Sequence, residues 1–541
     1  MEPERQPNKR AFPRRVALLL YETVNPRTTV RSKALEIRRC CIMIATGKRN
    51  GMSNVKRIRP TIRALLLIGP ALCLGQVAVA DAPVHRYVIA MDESMELLRV
   101  EARFDGPVSS VRARSRSAPD YLLDARACGD DTEIRVRSRR MSLPDGGISC
   151  LEYRVDLGRA SREYRNADRL APQNIVVSPS YWLWRPSLSD GASLDVEFRL
   201  PAGYRVSVPW QALDDTGRRY RLSRSPQSSY APAIFGTLDY REVGVPGATL
   251  RVTLLQTEAK LDEDALVDWV TAAATDVSLA YGYFPNPSPQ VVIVPVTSSW
   301  ASSPVPFGRV IRDGGETVEL FINPSRSQEE FLGDWTATHE FSHLMVPYLQ
   351  SDFHWISEGL AQYYQNILMA RAGAYDEREA WQKIYAGLER GRKSRPDLSP
   401  NEAASGGVRS SRMKVYWSGA ALALMADVTL RERSNGEESL DTVLQRLQAC
   451  CLPSQDTWTG PEFFAQLDSL IDEPVFMPLY RRYADTVGFP DTSETFERLG
   501  LDVTNDWVSI SRHAELGDLR ADMTRMDMPT ARWRDGLINV D

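Results

Sequence analysis

The residues best suited to chemistry lie in one short segment, 339–343, which reads HEFSH. On an α-helix, positions i and i+4 lie on the same face, so His339 and His343 can bind one zinc ion. Glu340 directly follows the first histidine and can reach a water molecule on the open side of the metal. Because zinc lowers the pKa of a bound water to about 7, we predict Glu340 as the general base of a zinc hydrolase.

A catalytic zinc site needs a third protein ligand and an open fourth position. The segment 355–364, WISEGLAQYY, predicts a second helix after a loop that begins near Pro347. Glu358 lies in the first turn of that helix and can point back at the metal from the neighbouring helix. We therefore predict Glu358 as the third ligand. His354 is the competing ligand, and we expect it at the rim of the site instead.

A tyrosine further along the chain can complete such a site. Tyr416 stands three positions before Gly419 and leads into an apolar helix that begins at Ala420. A tyrosine hydroxyl above the metal can donate a hydrogen bond to the oxyanion of a tetrahedral intermediate. The alternative is that Tyr416 only packs in the core or caps that helix.

Ordinary packing or surface histidines are the alternative to a metal site. Three of the five histidines of the chain lie between residues 339 and 354. Such clustering is unexpected for histidines without a common role, and it favours the metal site.

The first half of the chain has the pattern of β-structure. Apolar and polar residues alternate in segments such as 98–104, 151–157 and 194–200, which indicates antiparallel strands with one buried and one solvated face. Pro, Gly, Asp and Ser separate the segments. We predict a β domain over residues 84–255, either a sandwich or a saddle-shaped sheet.

The second half of the chain changes to helical spacing of its apolar residues. The sequence predicts a helix near 266–280, a buried strand at 291–296 and a hairpin over 307–323 that turns at its DGG segment. Ser327 and Glu330 form a capping box that opens the helix carrying HEFSH. Further helices are predicted at 355–372, 416–433, 440–448 and 461–471.

The beginning of the chain has the pattern of a secretory leader. A basic stretch precedes the apolar run 64–75, and Ala-Val-Ala at 78–80 has the small-x-small form of a cleavage site. We predict a signal peptide over 52–80, cleaved before Asp81, and hence a periplasmic or secreted protein. Residues 1–51 are then an upstream extension outside the native protein. A genuine basic extension is the alternative.

Removal of this leader makes the chain acidic. Residues 1–80 hold 16 of its 66 basic residues and 4 of its 70 acidic ones, so the remainder has a net charge near −16. Such a surface repels phosphate backbones, and we expect no nucleic-acid partner. No other run of apolar residues is long enough to span a bilayer, so we expect no stable membrane insertion.

Four cysteines remain after the predicted cleavage site. Cys128 and Cys150 lie in neighbouring strand-like segments, and an oxidising compartment makes a disulfide between them plausible. Cys450 and Cys451 are adjacent, and we expect two buried thiols there rather than a strained vicinal disulfide. No CxxC pair exists, which excludes a zinc site built on cysteines.

Four segments between residues 339 and 447 together resemble the glycyl aminopeptidase family of gluzincin peptidases. The resemblance to the alanyl and leucyl aminopeptidases is more distant. The matching segments are HEFSH (339–343), WISEGLAQYY (355–364), YWSGAALALMADVTLR (416–431) and SLDTVLQRL (439–447).

The resemblance assigns roles to particular residues. It implies that His339, His343 and Glu358 bind zinc, that Glu340 is the base and that Tyr416 stabilises the transition state. It also implies a β domain ahead of a thermolysin-like catalytic domain.

Three departures from the family pattern bear on specificity. The segment between His343 and Glu358 is shorter than in these families, and a C-terminal PDZ domain is not evident. No GAMEN-type segment precedes the zinc helix. Because the glutamate of that segment recognises the free amino group of a substrate, exopeptidase specificity has no support from the sequence.

We therefore predict an α+β multidomain zinc metallopeptidase that acts on peptides or proteins. Its parts are the β domain 84–255, a thermolysin-like catalytic domain 256–450 and a helical C-terminal region 451–541. The alternatives are a zinc hydrolase of a non-peptide amide or ester and a peptide-binding module with a structural zinc. A structural site has no need of Glu340 and usually closes all four positions, which favours the enzyme.

Overall fold

The computed structural model describes residues 82–526, except 131–132, 164–173, 225–229, 258–260, 297–301, 407 and 512. The predicted extension 1–51 and the predicted signal peptide 52–80 lie outside the described residues. No helix in the described part of the chain is long and apolar enough to cross a membrane.

The N-terminal part is built from short strands with two small helices. The strands are β1 (Val84–Met91), β2 (Leu97–Val108), β3 (Ser110–Arg112), β4 (Leu122–Ala127), β5 (Val136–Arg137), β6 (Arg140–Ser142), β7 (Ile148–Asp156), β8 (Asn174–Val177), β9 (Ser193–Arg199), β10 (Arg205–Ser207), β11 (Gln211–Ala212), β12 (Arg219–Ser223) and β13 (Ala233–Gly236). The helices are α1 (Ala118–Tyr121) and α2 (Leu157–Glu163), and Pro179–Tyr181 forms a 3-10 turn.

The largest N-terminal sheet has the strand order β11-β12-β9-β1-β2-β7-β4. Along β2, Leu98, Val100 and Ala102 are buried whereas Arg99 and Arg103 are exposed, as the alternation predicts. The neighbouring strands of this sheet pair antiparallel as predicted, with one exception, because β1 and β9 are parallel. Alternation indicates that one face of a strand is buried, but it carries no information about which strand lies beside it.

Smaller sheets complete the N-terminal part, in the orders β10-β13-β8 and β3-β6-β5. Its core contains three fully buried tryptophans, Trp182, Trp184 and Trp210. Cys128 and Cys150 form a disulfide, which agrees with their predicted neighbouring strands.

The second part of the chain begins with a five-stranded sheet of order β14-β15-β16-β18-β17. Its strands are β14 (Asp239–Val245), β15 (Ala248–Leu254), β16 (Gln290–Pro295), β17 (Phe307–Arg312) and β18 (Glu316–Ile322). The predicted buried strand and the predicted hairpin both form, with β17 and β18 antiparallel and β17 at the edge of the sheet.

The division between the two cores falls earlier than residue 255. Strand β15 pairs in parallel with β16, and Leu250 already belongs to the second core, whereas the first core ends at Phe235. Strands β14 and β15 therefore belong to the sheet of the second part. Their alternation is the same as in the β domain, and only pairing assigns a strand to its sheet.

Helices make up most of the remainder and share the second core. They are α3 (Glu263–Ser278), α4 (Gln328–Leu332), α5 (Thr336–Ser342), α6 (His354–Arg371), α7 (Glu377–Lys393), α8 (Pro400–Ser405), α9 (Val408–Arg433), α10 (Leu440–Cys451), α11 (Gly460–Asp468), α12 (Phe476–Tyr483), α13 (Ser493–Arg498) and α14 (Gly517–Met523). A final hairpin is formed by β19 (Leu501–Thr504) and β20 (Trp507–Ile510).

The predicted single helix over HEFSH is two helices. Ser327 and Glu330 form the predicted capping box, but that helix, α4, ends at Leu332. The Asp334 carboxylate accepts a hydrogen bond of 2.8 Å from the backbone N–H of Thr336 and starts α5. Gly333 and Asp334 are weak helix formers, and a side chain that bonds the local backbone favours a new helix start.

The expectation of two thiols at Cys450 and Cys451 is also wrong. These residues end α10 and form a vicinal disulfide. Cys450 is exposed and Cys451 is half-buried, so the two residues are not the buried thiols that we expected.

Candidate metal centre

The short helix α5 is almost completely buried. All its residues are buried, including His339 and Glu340, which are 5% and 7% exposed. His343 follows in a single 3-10 turn, His343–Met345. The imidazole rings of His339 and His343 have centroids 4.9 Å apart, so the i, i+4 spacing places both on one face.

Glu358 closes a triangle with the two histidines. Its Oε2 lies 3.4 Å from Nε2 of His339 and 3.5 Å from Nε2 of His343. Zinc–ligand bonds of about 2.0–2.1 Å in a tetrahedron require ligand atoms about 3.3–3.4 Å apart. Both measured distances therefore match the spacing of zinc ligands, and the three ligand atoms lie within 4.8 Å of one another in the described chain.

The chemistry of the three groups also fits a metal. Glu358 Oε2 is buried and has no hydrogen-bond partner, which is costly for an oxygen without a cation. Burial acts to raise the pKa of Glu358, but the neighbouring histidines outweigh it and hold the pKa well below its usual range. Burial lowers the pKa of His343, and the neutral imidazole is the form that binds metals.

Gln365 orients the first histidine. Its Oε1 lies 2.8 Å from Nδ1 of His339, and because an amide oxygen only accepts, Nδ1 carries the proton and Nε2 is free for a metal. Sequence reasoning missed Gln365. Its position seven residues after Glu358 was the available signal, because two helical turns return to nearly the same face.

Glu340 points past the metal triangle toward the edge strand β17. A Cβ added at Gly308 would lie 2.5 Å from Cγ and 2.8 Å from Oε1 of Glu340, so only glycine allows this close approach. Burial raises the pKa of Glu340 to about 7, with the charge of Glu358 also raising it and His339 and Arg309 opposing. The carboxyl therefore lies between the metal triangle and the free edge of the sheet.

Tyr416 lies beside the same histidine. Its ring centroid is 6.1 Å from that of His339 in an edge-on arrangement. Burial, followed by the charge of Glu358, raises the pKa of Tyr416 well above its usual range, so the hydroxyl keeps its proton and can donate. The Arg412 guanidinium lies 5.4 Å from the centre of the tyrosine ring.

Two glycines allow the helices of the site to touch. A Cβ at Gly359 would lie 2.2 Å from backbone atoms of Gly419, and a Cβ at Gly419 would lie 2.0 Å from the carbonyl oxygen of Trp355. Helices α6 and α9 thus meet at backbone contact. Glu358 adjoins Gly359, and Tyr416 lies one turn before Gly419. This contact therefore fixes the positions of the Glu358 and Tyr416 side chains relative to each other.

His354 is not part of the triangle. It is the first residue of α6, and its ring packs against Tyr348 with centroids 6.0 Å apart. Burial lowers its pKa. Sequence reasoning also missed Trp335, which is 40% exposed and meets the ring of His339 edge-on at 5.7 Å. An exposed tryptophan directly before α5 was its only signal.

The chain was compared with known families and structures. Residues 346–415 match the family model of the M61 glycyl aminopeptidase. The resemblance to glycyl aminopeptidases is confirmed. The matching segment contains Glu358 and Gln365, whereas the HEFSH segment and Tyr416 lie outside it. No curated protein matches the sequence significantly.

Among the solved structures, one is similar enough to compare folds. An aminopeptidase N family protein from Idiomarina loihiensis is similar with a TM-score of 0.50 and 14% identity, over 80% of this chain and 77% of that one. An M1 zinc metallopeptidase from Deinococcus radiodurans is 13% identical with a TM-score of 0.46, over 76% of this chain and 94% of its own. The first likeness establishes the fold, and the predicted α+β class with a β-rich N-terminal part is confirmed.

Proposed function

We propose that this chain is an exported zinc-dependent metallopeptidase that hydrolyses peptide bonds. The observation that carries the proposal is the triangle of His339, His343 and Glu358, whose ligand atoms are 3.4 and 3.5 Å apart. Glu340, beside this triangle, has no role in a structural metal site. The match to the glycyl aminopeptidase family supports a peptide substrate.

Each residue has a distinct role in the proposed reaction. His339, His343 and Glu358 would hold the zinc, with Gln365 fixing the tautomer of His339. The chemistry that zinc supplies when bound is polarisation of the scissile carbonyl and a lower pKa for water. Glu340 takes the proton from the attacking water and passes it to the leaving amine.

Tyr416 acts on the other side of the scissile bond. Its pKa stays far above neutral pH, so its hydroxyl donates a hydrogen bond to the oxyanion and shares the developing negative charge. The substrate extends along β17, whose outer edge lacks a partner strand among the described residues. Backbone pairing with that edge would hold the peptide beside Glu340.

The first experiment measures zinc in purified variants. His339→Ala, His343→Ala and Glu358→Ala should each lose most of the roughly one zinc ion per chain. His354→Ala is the matched control, because this half-buried histidine adjoins the site but lies outside the triangle, and it should keep its zinc. Loss of zinc in His354→Ala together with retention in Glu358→Ala would show that the proposed ligand set is wrong.

The second experiment measures turnover. Metal-loaded wild-type protein is incubated with a peptide library and with ester substrates, and the products are identified by mass spectrometry. Peptide cleavage should fall by about 10²–10⁴-fold in Glu340→Gln, while the zinc content and the melting temperature stay unchanged. Cleavage of esters alone would replace the peptidase proposal, and undiminished activity of Glu340→Gln would remove the general base.

A further inference from the structure

A strongly basic cleft of about 760 Å³ lies between the N-terminal part and the loop 455–457. Seven of its fifteen lining residues are arginines, although basic residues make up only 66 of 541 in the chain. One wall is the small β3-β6-β5 sheet, a second is the segment 185–188 and a third is the loop 455–457. The cleft is separate from the residues of the metal triangle.

Four of these arginines form one row across neighbouring strands, which we call the arginine row. Arg112 pairs with Arg140 across β3 and β6, and Arg140 pairs with Arg137 across β6 and β5. Arg112 also pairs with Arg185 on its other side. Residues directly opposite in a sheet point to the same face. With strands about 4.8 Å apart, the row is about 14 Å long.

The arginine row lacks the acidic partners that several arginines of the seven-stranded sheet have. On the seven-stranded sheet, Arg154 pairs with Asp124, and Arg221 binds Asp195 at 2.7 Å. Within the described residues, no member of the arginine row forms a salt bridge. Like charges directly opposite each other destabilise a sheet. No salt bridge to a member of the row offsets the repulsion among its four arginines.

The acidic residues beside the cleft are paired with arginines outside the row. Arg114 is paired with Asp313, and Arg224 with Asp190 and Asp456. Burial lowers the pKa of Arg185, the charge of Asp313 opposes this effect, and the charge of Arg114 lowers the pKa further. The cleft therefore keeps an excess of positive charge, because seven arginines line it and Asp456 is its only acidic lining residue among those described.

We propose that the arginine row binds an acidic polypeptide segment that lies extended across the strands. Guanidinium groups bind carboxylates with paired hydrogen bonds, and a concave site suits an inserted chain better than a flat anionic surface. At about 3.3 Å per residue, a row of this length spans four to five residues. The choice of a polypeptide rests on the proposed peptidase function, whereas the anion site itself does not.

The cleft also adjoins the strand that would hold the scissile bond. Asp313, which binds Arg114, is the first residue after β17. Gly308 on β17 contacts Glu340, and Asp313 lies five residue steps further along the chain, about 16 Å away. An acidic segment in the cleft would therefore tether a substrate within a few residues of the proposed catalytic centre.

The test measures binding of an acetylated, amidated and fluorescent hexaglutamate peptide by anisotropy. The full chain carries Glu340→Gln throughout, so that the probe is not cut. Arg112→Gln with Arg140→Gln should weaken binding at least tenfold, and 0.3 M salt should weaken it in the parent. Arg86→Gln with Arg99→Gln, exposed positions on the large sheet, is the matched control and should bind within twofold of the parent.

Further arms separate the proposal from its rivals. Equal affinity in the cleft variant and the control variant, or no binding at low salt, would overturn it. Tighter binding of tripolyphosphate, or of phosphatidylglycerol vesicles, would assign the cleft to phosphate groups or a membrane instead. The cleft variant should melt no lower than the parent, because it removes like-charge repulsion; if it unfolds, the single Arg137→Gln change replaces it. Failure of peptide cleavage by the wild type would contradict the peptidase proposal and leave this titration unaffected.

Discussion

At the scale of single residues, the site depends on groups that orient other groups. His339 and His343 would bind a metal through Nε2, and the direction of Nε2 in His339 is fixed by one amide oxygen, that of Gln365. Such outer partners contribute strongly to metal affinity because they fix the ring and its tautomer.

We expect Gln365→Leu to weaken zinc binding by about 10–100-fold with little change in fold. The leucine keeps the volume of the side chain but cannot accept a hydrogen bond from the Nδ1–H of His339. Competition with a chelator measures the affinity. Gln362→Leu, one turn earlier on α6, is the control and should bind zinc like the wild type. Equal affinities for the two variants would remove Gln365 from the centre.

Tyr416→Phe tests the proposed oxyanion donor. The change removes one hydroxyl and keeps the ring against His339, so zinc content and melting temperature should stay at wild-type values. An oxyanion donor acts mainly in the transition state, and kcat should fall by about 10²–10³-fold with a smaller change in KM. A kcat within a few-fold of wild type would show that Tyr416 is only a packing residue.

At the scale of elements, the contact between α6 and α9 positions Glu358 and Tyr416. The two helices meet through Gly359 and Gly419, where neither position has room for a methyl group. The EG and Y-x-x-G patterns of the sequence thus each combine a functional side chain with the glycine that brings its helix close.

Gly419→Ala should force these helices apart. Its Cβ would lie 2.0 Å from the carbonyl oxygen of Trp355, and overpacking of this kind costs about 1–3 kcal/mol in the free energy of unfolding. Displacing catalytic groups by about 1 Å can lower kcat/KM by about 10²-fold. Gly244→Ala, where a Cβ meets nothing within 4 Å, is the control for denaturation and kinetics. Wild-type kinetics in Gly419→Ala would show that the contact is dispensable.

At the scale of the whole molecule, the disulfides are consistent with the predicted export. The Cys128–Cys150 bridge closes a 22-residue separation in the N-terminal part. An oxidising compartment is where such bonds persist, and the chain-entropy model gives a loop of this length about 3 kcal/mol.

We therefore expect Cys128→Ala with Cys150→Ala to lower the free energy of unfolding of the N-terminal part by about 3 kcal/mol, measured by denaturation followed through its buried tryptophans. Cys450→Ala with Cys451→Ala is the comparison. That bond joins adjacent residues and closes no long loop, so it should change the stability far less. Similar losses in both double variants would contradict the loop-closure argument.

Export itself has a direct test. Protein recovered from the periplasm or the medium should begin at Asp81, because the apolar run and the Ala-Val-Ala segment before it have the form of a signal peptide. Sequencing of the N-terminus decides this. An exported protein that still carries residues 1–51 would refute the predicted start and cleavage site.

The sequence alone was enough to predict that His339, His343 and Glu358 lie together, since HEFSH and the glutamate of WISEG state ligand types and helical spacing directly. It also predicted the hairpin 307–323, because turn residues and alternation are local signals. Strand partners, the break between α4 and α5, and the position of Gln365 required the tertiary structure. These depend on contacts between residues far apart in the chain, which no local periodicity contains. The arginine row is the clearest case. Arg112, Arg140 and Arg185 belong to no motif of the sequence, and only strand pairing places them side by side.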